Sequence, residues 1–265
     1  VVSKHLKAKF PHLKIGGYAA CGFYHLTGRR IWSEDDATRY PYYVKCFEEF
    51  VDYAKGNRCP LDFFSYHCYD DVSNAVRHAE YVRKTLDRAG FTRTEMSLNE
   101  WLTSAPTPSV AQAAEIAAMM IACQNGPVDN AMVYDARCGV GRYSPLFDPA
   151  TCAPRPAYWT LKAFNELYVR RRAVRCEPQV VRDGKPVTCD LPDIHMAAAE
   201  KDGDGAILIA NISDVESAPL PLRFDLRGRE IVGCRLINRI FSYQETLVPE
   251  VLEPDAVVLL LTRRK

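Results

Sequence analysis

The strongest constraint in this chain of 265 residues is a change of texture near residue 168. Before it, short apolar runs alternate with longer runs of helical period. After it the helical period disappears, and short β-rich runs follow one another between turn residues. Strands separated by helices connect by crossovers and so lie parallel in a sheet. Strands separated only by short turns pair antiparallel. The chain therefore reads as two regions, an α/β region over 1–168 and an all-β region over 169–265. Its length suits one large domain or a medium domain with a small one.

In the first region, Leu6 and Phe10 stand four apart on a helix that ends at Pro11. Leu13 to Tyr18 is a strand ending in glycines, and Cys21 to Asp36 a loop rich in glycine and charge. Tyr42 to Lys55 is an amphipathic helix closed by Gly56-Asn57. Leu61 to His67 is the next strand, Ser73 to Ala89 a helix stopped by Gly90, and Thr94 to Leu98 a third strand. Val110 to Cys123 is apolar nearly all round and so is expected to be buried. Asn130 to Tyr134 is a fourth strand, and Pro156 to Tyr168 a last helix with proline in its first turn. Four strand–helix units of this spacing are half of an eight-fold (β/α)8 barrel, a TIM barrel; a small doubly wound open sheet is the alternative. Gly139-Val140-Gly141 falls in a loop without the helix start of a dinucleotide fold. In the second region, runs at Ile194–Ala199, Gly205–Ile212, Leu220–Leu226, Glu230–Ile237 and Ala256–Leu261 suggest a β-sandwich.

Composition narrows the function by exclusion. With 34 basic and 33 acidic residues the net charge is +1, so nothing points to nucleic acid. No apolar run has the length of a membrane span. The ten cysteines form no Cys-x-x-Cys pair and no zinc-spaced Cys/His set, so neither a metal nor another cofactor is expected. Their irregular spacing reads as mostly reduced thiols, hence a cytoplasmic protein. Val1-Val2-Ser3-Lys4 is not a natural start, so a processed or truncated N-terminus is also expected.

The chemistry is expected where the strands end. Leu98-Asn99-Glu100-Trp101 delivers a carboxylate, an amide and an indole to the end of an apolar run. Strand ends of this kind carry catalysis in α/β barrels. The neighbouring strand ends supply His67, Tyr69, Asp70 and Asp71, then Tyr134, Asp135, Arg137 and Arg142; the first loop adds His25, Glu34, Asp35 and Asp36. Such groups suit sugars, whose rings stack on aromatic faces and whose hydroxyls bond to polar side chains.

Four segments in order carry a resemblance. Phe10-Pro11-His12-Leu13-Lys14-Ile15-Gly16-Gly17 resembles the passage from helix four to strand five of clan A retaining glycosidases. Asp62 to Tyr69 is similar to their sixth strand, and Leu98 to Trp101 to their seventh. Tyr134-Asp135-Ala136-Arg137, with Leu146-Phe147-Asp148 and Tyr158 to Tyr168, is similar to their eighth strand and helix. The nearest group is glycoside hydrolase family 39, the β-xylosidase and α-L-iduronidase group, with family 51-type arabinofuranosidases close by.

The resemblance implies that Glu100 is the nucleophile, forming a covalent glycosyl-enzyme. Tyr69, or less favourably Tyr66, then hydrogen-bonds that carboxylate and keeps it ionised. His67 lines the site, Asn99 beside the nucleophile joins the substrate-binding set, and Trp101, Tyr134 and Asp135 shape the sugar pocket. Asn-Glu also marks the acid/base at strand four of this clan. However, only one strand–helix unit follows Glu100 before the all-β region, so the strand-seven placement holds. The acid/base position of strand four then has no counterpart, and Asp70 or Glu34 as a substitute lacks a motif. The open half-sheet implies a homo-oligomer or a separate N-terminal half that covers it. The alternative function is a non-catalytic carbohydrate-binding or scaffold remnant.

Overall fold

The computed structural model describes residues 2–31, 33–136, 143, 146–183, 185–240 and 242–265. The chain divides into two compact units. The first comprises Val1–Leu102 and Cys123–Tyr134, and the second Thr103–Ala122 and Asp135–Lys265.

The chain opens with α1 (Val2–Lys9), β1 (Gly16–Ala20), α2 (Glu34–Gly56), β2 (Phe63–Tyr69), α3 (Val72–Arg88) and β3 (Glu95–Leu102). Then come α4 (Val110–Asn125), β4 (Asn130–Val133) and α5 (Pro156–Tyr168). The four strands form one parallel sheet in the order β1-β2-β3-β4. Sequential neighbours in a parallel sheet are what strand–helix repetition gives when every crossover has the same hand.

The helices start where short-range chemistry says they should. Ser33 caps α2 by accepting from the Asp36 amide, and Glu34, Asp35 and Asp36 fill its first turn, where carboxylates oppose the helix dipole. This cap starts α2 eight residues before the expected Tyr42, and Pro41 is accommodated inside the helix. Asp71 caps α3 by accepting from the Asn74 amide at 2.7 Å. One side of β2 is covered by these helices. Phe64 lies 4.5 Å from Phe47 of α2, Phe23 is 6.0 Å from Tyr66, and Tyr81 of α3 is 5.8 Å from Phe47, measured between ring centroids. Phe64, Tyr66 and Cys68 are buried there, whereas Phe63, His67 and Tyr69 on the alternate positions are half-buried. The outer strands are more open, with Met132 of β4 55% and Tyr18 of β1 40% exposed.

The second unit is β-rich. Its strands are β5 (Arg172–Val174), β6 (Gln179–Arg182), β7 (Lys185–Thr188), β8 (Ile194–Lys201), β9 (Asp204–Asn211) and β10 (Leu220–Pro221). They continue with β11 (Arg229–Ile237), β12 (Ser242–Glu245), β13 (Val251–Leu252) and β14 (Ala256–Arg264). Six form an antiparallel sheet in the order β12-β11-β14-β9-β8-β5; β10 pairs with β13 and β6 with β7. Ile209, Cys234, Leu236, Leu252, Val258 and Leu260 build its apolar core. Helix α5 packs on β8, β9, β11 and β12, with Trp159 stacked on Tyr243 at 5.6 Å. Among the described residues no helix is long and apolar enough to cross a membrane, and nine cysteines are free.

Candidate active site

The site grows out of an irregularity in the parallel sheet. Partners across β2 and β3 run Ser65–Ser97 and Tyr66–Leu98, and then jump to His67–Glu100. Asn99 has no residue opposite it. Seen from β4, the same shift separates Leu98–Ala131 from Trp101–Val133. This is a β-bulge, an extra residue that re-aims the side chains after it. In an unbroken strand Glu100 would share a face with Met96 and Leu98, both buried. The bulge moves Glu100 to the face of His67 and Tyr69, and sends Trp101 to the face of Cys68.

The contacts follow from that shift. Tyr69 Oη donates to Glu100 Oε1 at 2.7 Å. His67 Nδ1 lies 3.7 Å from the same oxygen, too far for a hydrogen bond and close enough for an ion pair when the imidazole is charged. The His67 and Glu100 side chains are 22% and 30% exposed, so the carboxylate is screened but reachable. Tyr134, just past β4, places its ring 6.4 Å from that of Tyr69, edge to face, and its amide donates to the Trp101 carbonyl at 2.8 Å. One carboxylate oxygen is thus held by a phenol whose ring is itself braced, and the other oxygen is oriented with it.

The remaining expected residues fall elsewhere. Trp101 is 1% exposed, and its indole Nε1 has no hydrogen-bond partner among the described residues. Asn99 Oδ1 is likewise buried without a partner there. Tyr66 is 1% exposed on the helix-covered side, and burial pushes its phenol well above the usual range. Asp135 belongs to the second unit, where its amide donates to the Tyr143 carbonyl at 3.2 Å. Asp70 accepts from the Asp71 amide and the Asn74 side chain, so both acids serve the start of α3. His25 is exposed, and Glu34, Asp35 and Asp36 form the first turn of α2. Arg137, Arg142 and Gly139-Val140-Gly141 lie outside the described residues. Among those described, no three His, Cys, Asp or Glu side chains cluster as metal ligands.

Two residues stand at this site without a motif to announce them. Tyr24 Oη accepts from the Tyr69 amide at 2.9 Å, and the Arg29 guanidinium donates to the Tyr69 carbonyl. A pairing between residues 45 and 40 positions apart leaves no local pattern in a sequence.

By sequence, no family model and no curated protein matches the chain. Solved structures do share its fold. A glucosidase from Croceicoccus marinus matches with a TM-score of 0.70 at 19% identity, over 99% of this chain and 63% of that one. A glycoside hydrolase family 39 β-xylosidase from Caulobacter crescentus matches at 0.59 and 16%, over 99% and 60%. The family 39 enzyme from Xanthomonas axonopodis pv. citri matches at 0.58 and 15%, over 99% and 62%. The chain spans about three fifths of the length of these structures. In fold, this α/β sheet with its β-rich second region is like family 39 β-xylosidases and related clan A glycoside hydrolases.

Proposed function

We propose that the chain carries the nucleophile part of a retaining β-glycosidase of the xylosidase or glucosidase kind. In this reading residues 1–168 are the last four units of a (β/α)8 barrel, and 169–265 an accessory β-sandwich. Glu100 attacks the anomeric carbon, the glycosidic bond breaks, and a glycosyl ester forms on the carboxylate. Tyr69 holds the carboxylate, His67 borders the sugar, and Tyr134 braces Tyr69. The observation that carries this reading is the 2.7 Å Tyr69–Glu100 hydrogen bond, placed on an accessible face by the bulge at Asn99.

A retaining mechanism needs a second carboxyl group about 5–5.5 Å from the first, to protonate the leaving oxygen and then activate water. The side chains seen around Glu100 are a phenol and an imidazole. We therefore assign the acid/base to further sequence or a second copy of the chain, seated on the open side of the β1–β4 sheet. The free cysteines fit a reducing, cytoplasmic setting.

A 2-deoxy-2-fluoro-β-xyloside or β-glucoside with a dinitrophenolate leaving group tests the reading, because such a leaving group departs without acid assistance. Peptide mass mapping is expected to find the fluoro-sugar ester on Glu100. Glu100→Gln is expected to remove it and to lower dinitrophenyl glycoside turnover by roughly 10⁴-fold. A wild-type chain that binds the sugar but never takes the label is a binding module or scaffold instead.

A further inference from the structure

We propose that Tyr24 and Arg29 are positioning residues that set the Tyr69–Glu100 hydrogen bond by gripping the backbone of Tyr69. The grip is a feature of this fold; its catalytic meaning rests on the reading of Glu100 given above.

One ladder of the parallel sheet stops early. β1 pairs with β2 only as far as Ala20 opposite Tyr66. β2 nevertheless continues to Tyr69, and on its other side pairs with β3 up to Tyr69–Leu102. The backbone groups of β2 beyond Tyr66 that face β1 have therefore lost their strand partner. Orphaned, half-buried N–H and C=O groups are costly, so something must satisfy them.

The loop after β1 does so with side chains. Tyr24 Oη takes the Tyr69 amide at 2.9 Å, and Arg29 Nη1 supplies the donor for the Tyr69 carbonyl. Both bonds end on one residue, the one whose phenol holds Glu100. Gly22 lets the loop come this close. Its φ is +84°, and a Cβ on it would stand 2.8 Å from the His67 carbonyl oxygen and 3.0 Å from the Tyr24 ring. The loop thus lies against His67 and Tyr69 together, the two β2 residues that face Glu100.

The grip is itself rigid. The Arg29 guanidinium sits 4.4 Å from the Tyr24 ring centroid, a cation over a π face. The same ring meets Tyr40 of α2 at 5.3 Å and His78 of α3 at 5.5 Å. Tyr24 is 7% exposed. Two helices and a cation thus locate one phenol oxygen, and that oxygen locates the strand end bearing Tyr69. Neither residue touches a bound sugar in this scheme. They act through Tyr69, by keeping its ring where a 2.7 Å bond to Glu100 is possible.

The test uses the full chain biosynthesised with [¹³Cζ]tyrosine, its Tyr69 resonance assigned by Tyr69→Phe. Glu100→Gln marks where that resonance moves when the carboxylate bond is altered. Tyr24→Phe keeps the ring and removes the acceptor; Arg29→Met keeps the stem and removes the donor. Both are expected to move the Tyr69 resonance toward its Glu100→Gln position, and to slow fluoro-glycoside labelling of Glu100 roughly tenfold. Circular dichroism at the working temperature identifies folded variants, and Arg29→Met carries the test if Tyr24→Phe does not fold. An unmoved Tyr69 resonance in the folded variants overturns the proposal, even where the wild type labels normally. A moved resonance in a chain that never labels keeps the grip and refutes the nucleophile.

Discussion

The two sheets of this protein break register in different places. In the β-rich unit the central strand β9 pairs with β8 and with β14 in unbroken register along its whole length, and the slips fall on β11, at Ile231/Gly233 and Leu236/Ile237. In the parallel sheet every pairing slips, at Tyr18/Ala20, at Tyr66/His67 and at Leu98/Trp101. The last two are the single bulge at Asn99, met from β2 and from β4. A regular ladder maximises paired backbone and packs one apolar face, which suits a unit whose work is to hold together. A bulge gives up some of that regularity to re-aim a side chain. The bulge at Asn99 turns away from the core face a carboxylate that alternation would put there.

The largest expected effects ask whether each sheet depends on its own core. Phe64→Ala removes a ring packed between Phe47, Phe50 and Tyr66, and is expected to cost about 3–5 kcal/mol. Leu260→Ala in the other core is expected to cost about 2–5 kcal/mol. Hydrogen exchange locates each loss. Phe64→Ala should deprotect amides of β2 and β3, and Leu260→Ala those of β9 and β14. If each variant loosened both sheets equally, the contrast in their construction would not extend to their stability.

The next effect is specific to the parallel-sheet unit. His78 of α3 is fully buried against the Phe23 and Tyr24 rings, with Thr27 Oγ1 3.4 Å from its Nε2. Burial, and then the Arg29 charge, push its imidazole down to about 4 from an ordinary 6.5, against a smaller opposing pull from Asp71. Between those values the unfolded chain takes a proton that the folded chain refuses. Stability from this group is therefore complete above about 6.5 and is lost as pH falls toward 4. The loss is on the order of 3 kcal/mol. Urea midpoints across that window, compared with those of His78→Gln, measure it. A wild-type slope no steeper than that of the variant would remove His78 as its source.

The contrast between the sheets also separates what was legible in the sequence from what was not. The order of strands and helices could be read because the long elements carry a signal of their own, as the amphipathic stretch of α2 and the apolar run of β9 do. The strand ends were harder. β2 and β3 run on to Tyr69 and Leu102, past the expected His67 and Leu98, because Asn99, Glu100 and Tyr69 interrupt the apolar pattern and the strand ends are held by the neighbouring strands. The bulge at Asn99 was invisible, since register is decided by the neighbouring strand. The indole of Trp101 reads as a sugar platform on its flanking residues alone, yet that one-residue slip buries it. The two-residue strands β10 and β13 are too short for any period, and Pro221 sits within β10. Tyr24 and Arg29 lay in a segment legible only as a loop, because their meaning is a contact with Tyr69 far along the chain.

The smallest effect concerns a buried polar group in the β-rich unit. Asn211, at the end of β9, is 1% exposed. Its Nδ2 donates to the Leu252 carbonyl at 3.1 Å, and its Oδ1 accepts from the Ser213 amide and hydroxyl at 3.0 and 2.7 Å. Every polar atom of this side chain is thus used to tie β9 to β13 and to the turn after β9. Asn211→Ala leaves the Leu252 carbonyl without that donor in a dry place, at an expected cost of about 1–3 kcal/mol. Asn211→Asp, which keeps the shape but removes the donor, should cost at least as much. Neither should move the Tyr69 resonance. Half-buried Asn99 in the parallel sheet behaves oppositely, since its buried Oδ1 has no partner among the described residues and its place is fixed by the bulge. On the unbroken strand β9 an amide therefore serves the fold, whereas on β3 it is the residue whose insertion gives Glu100 its direction.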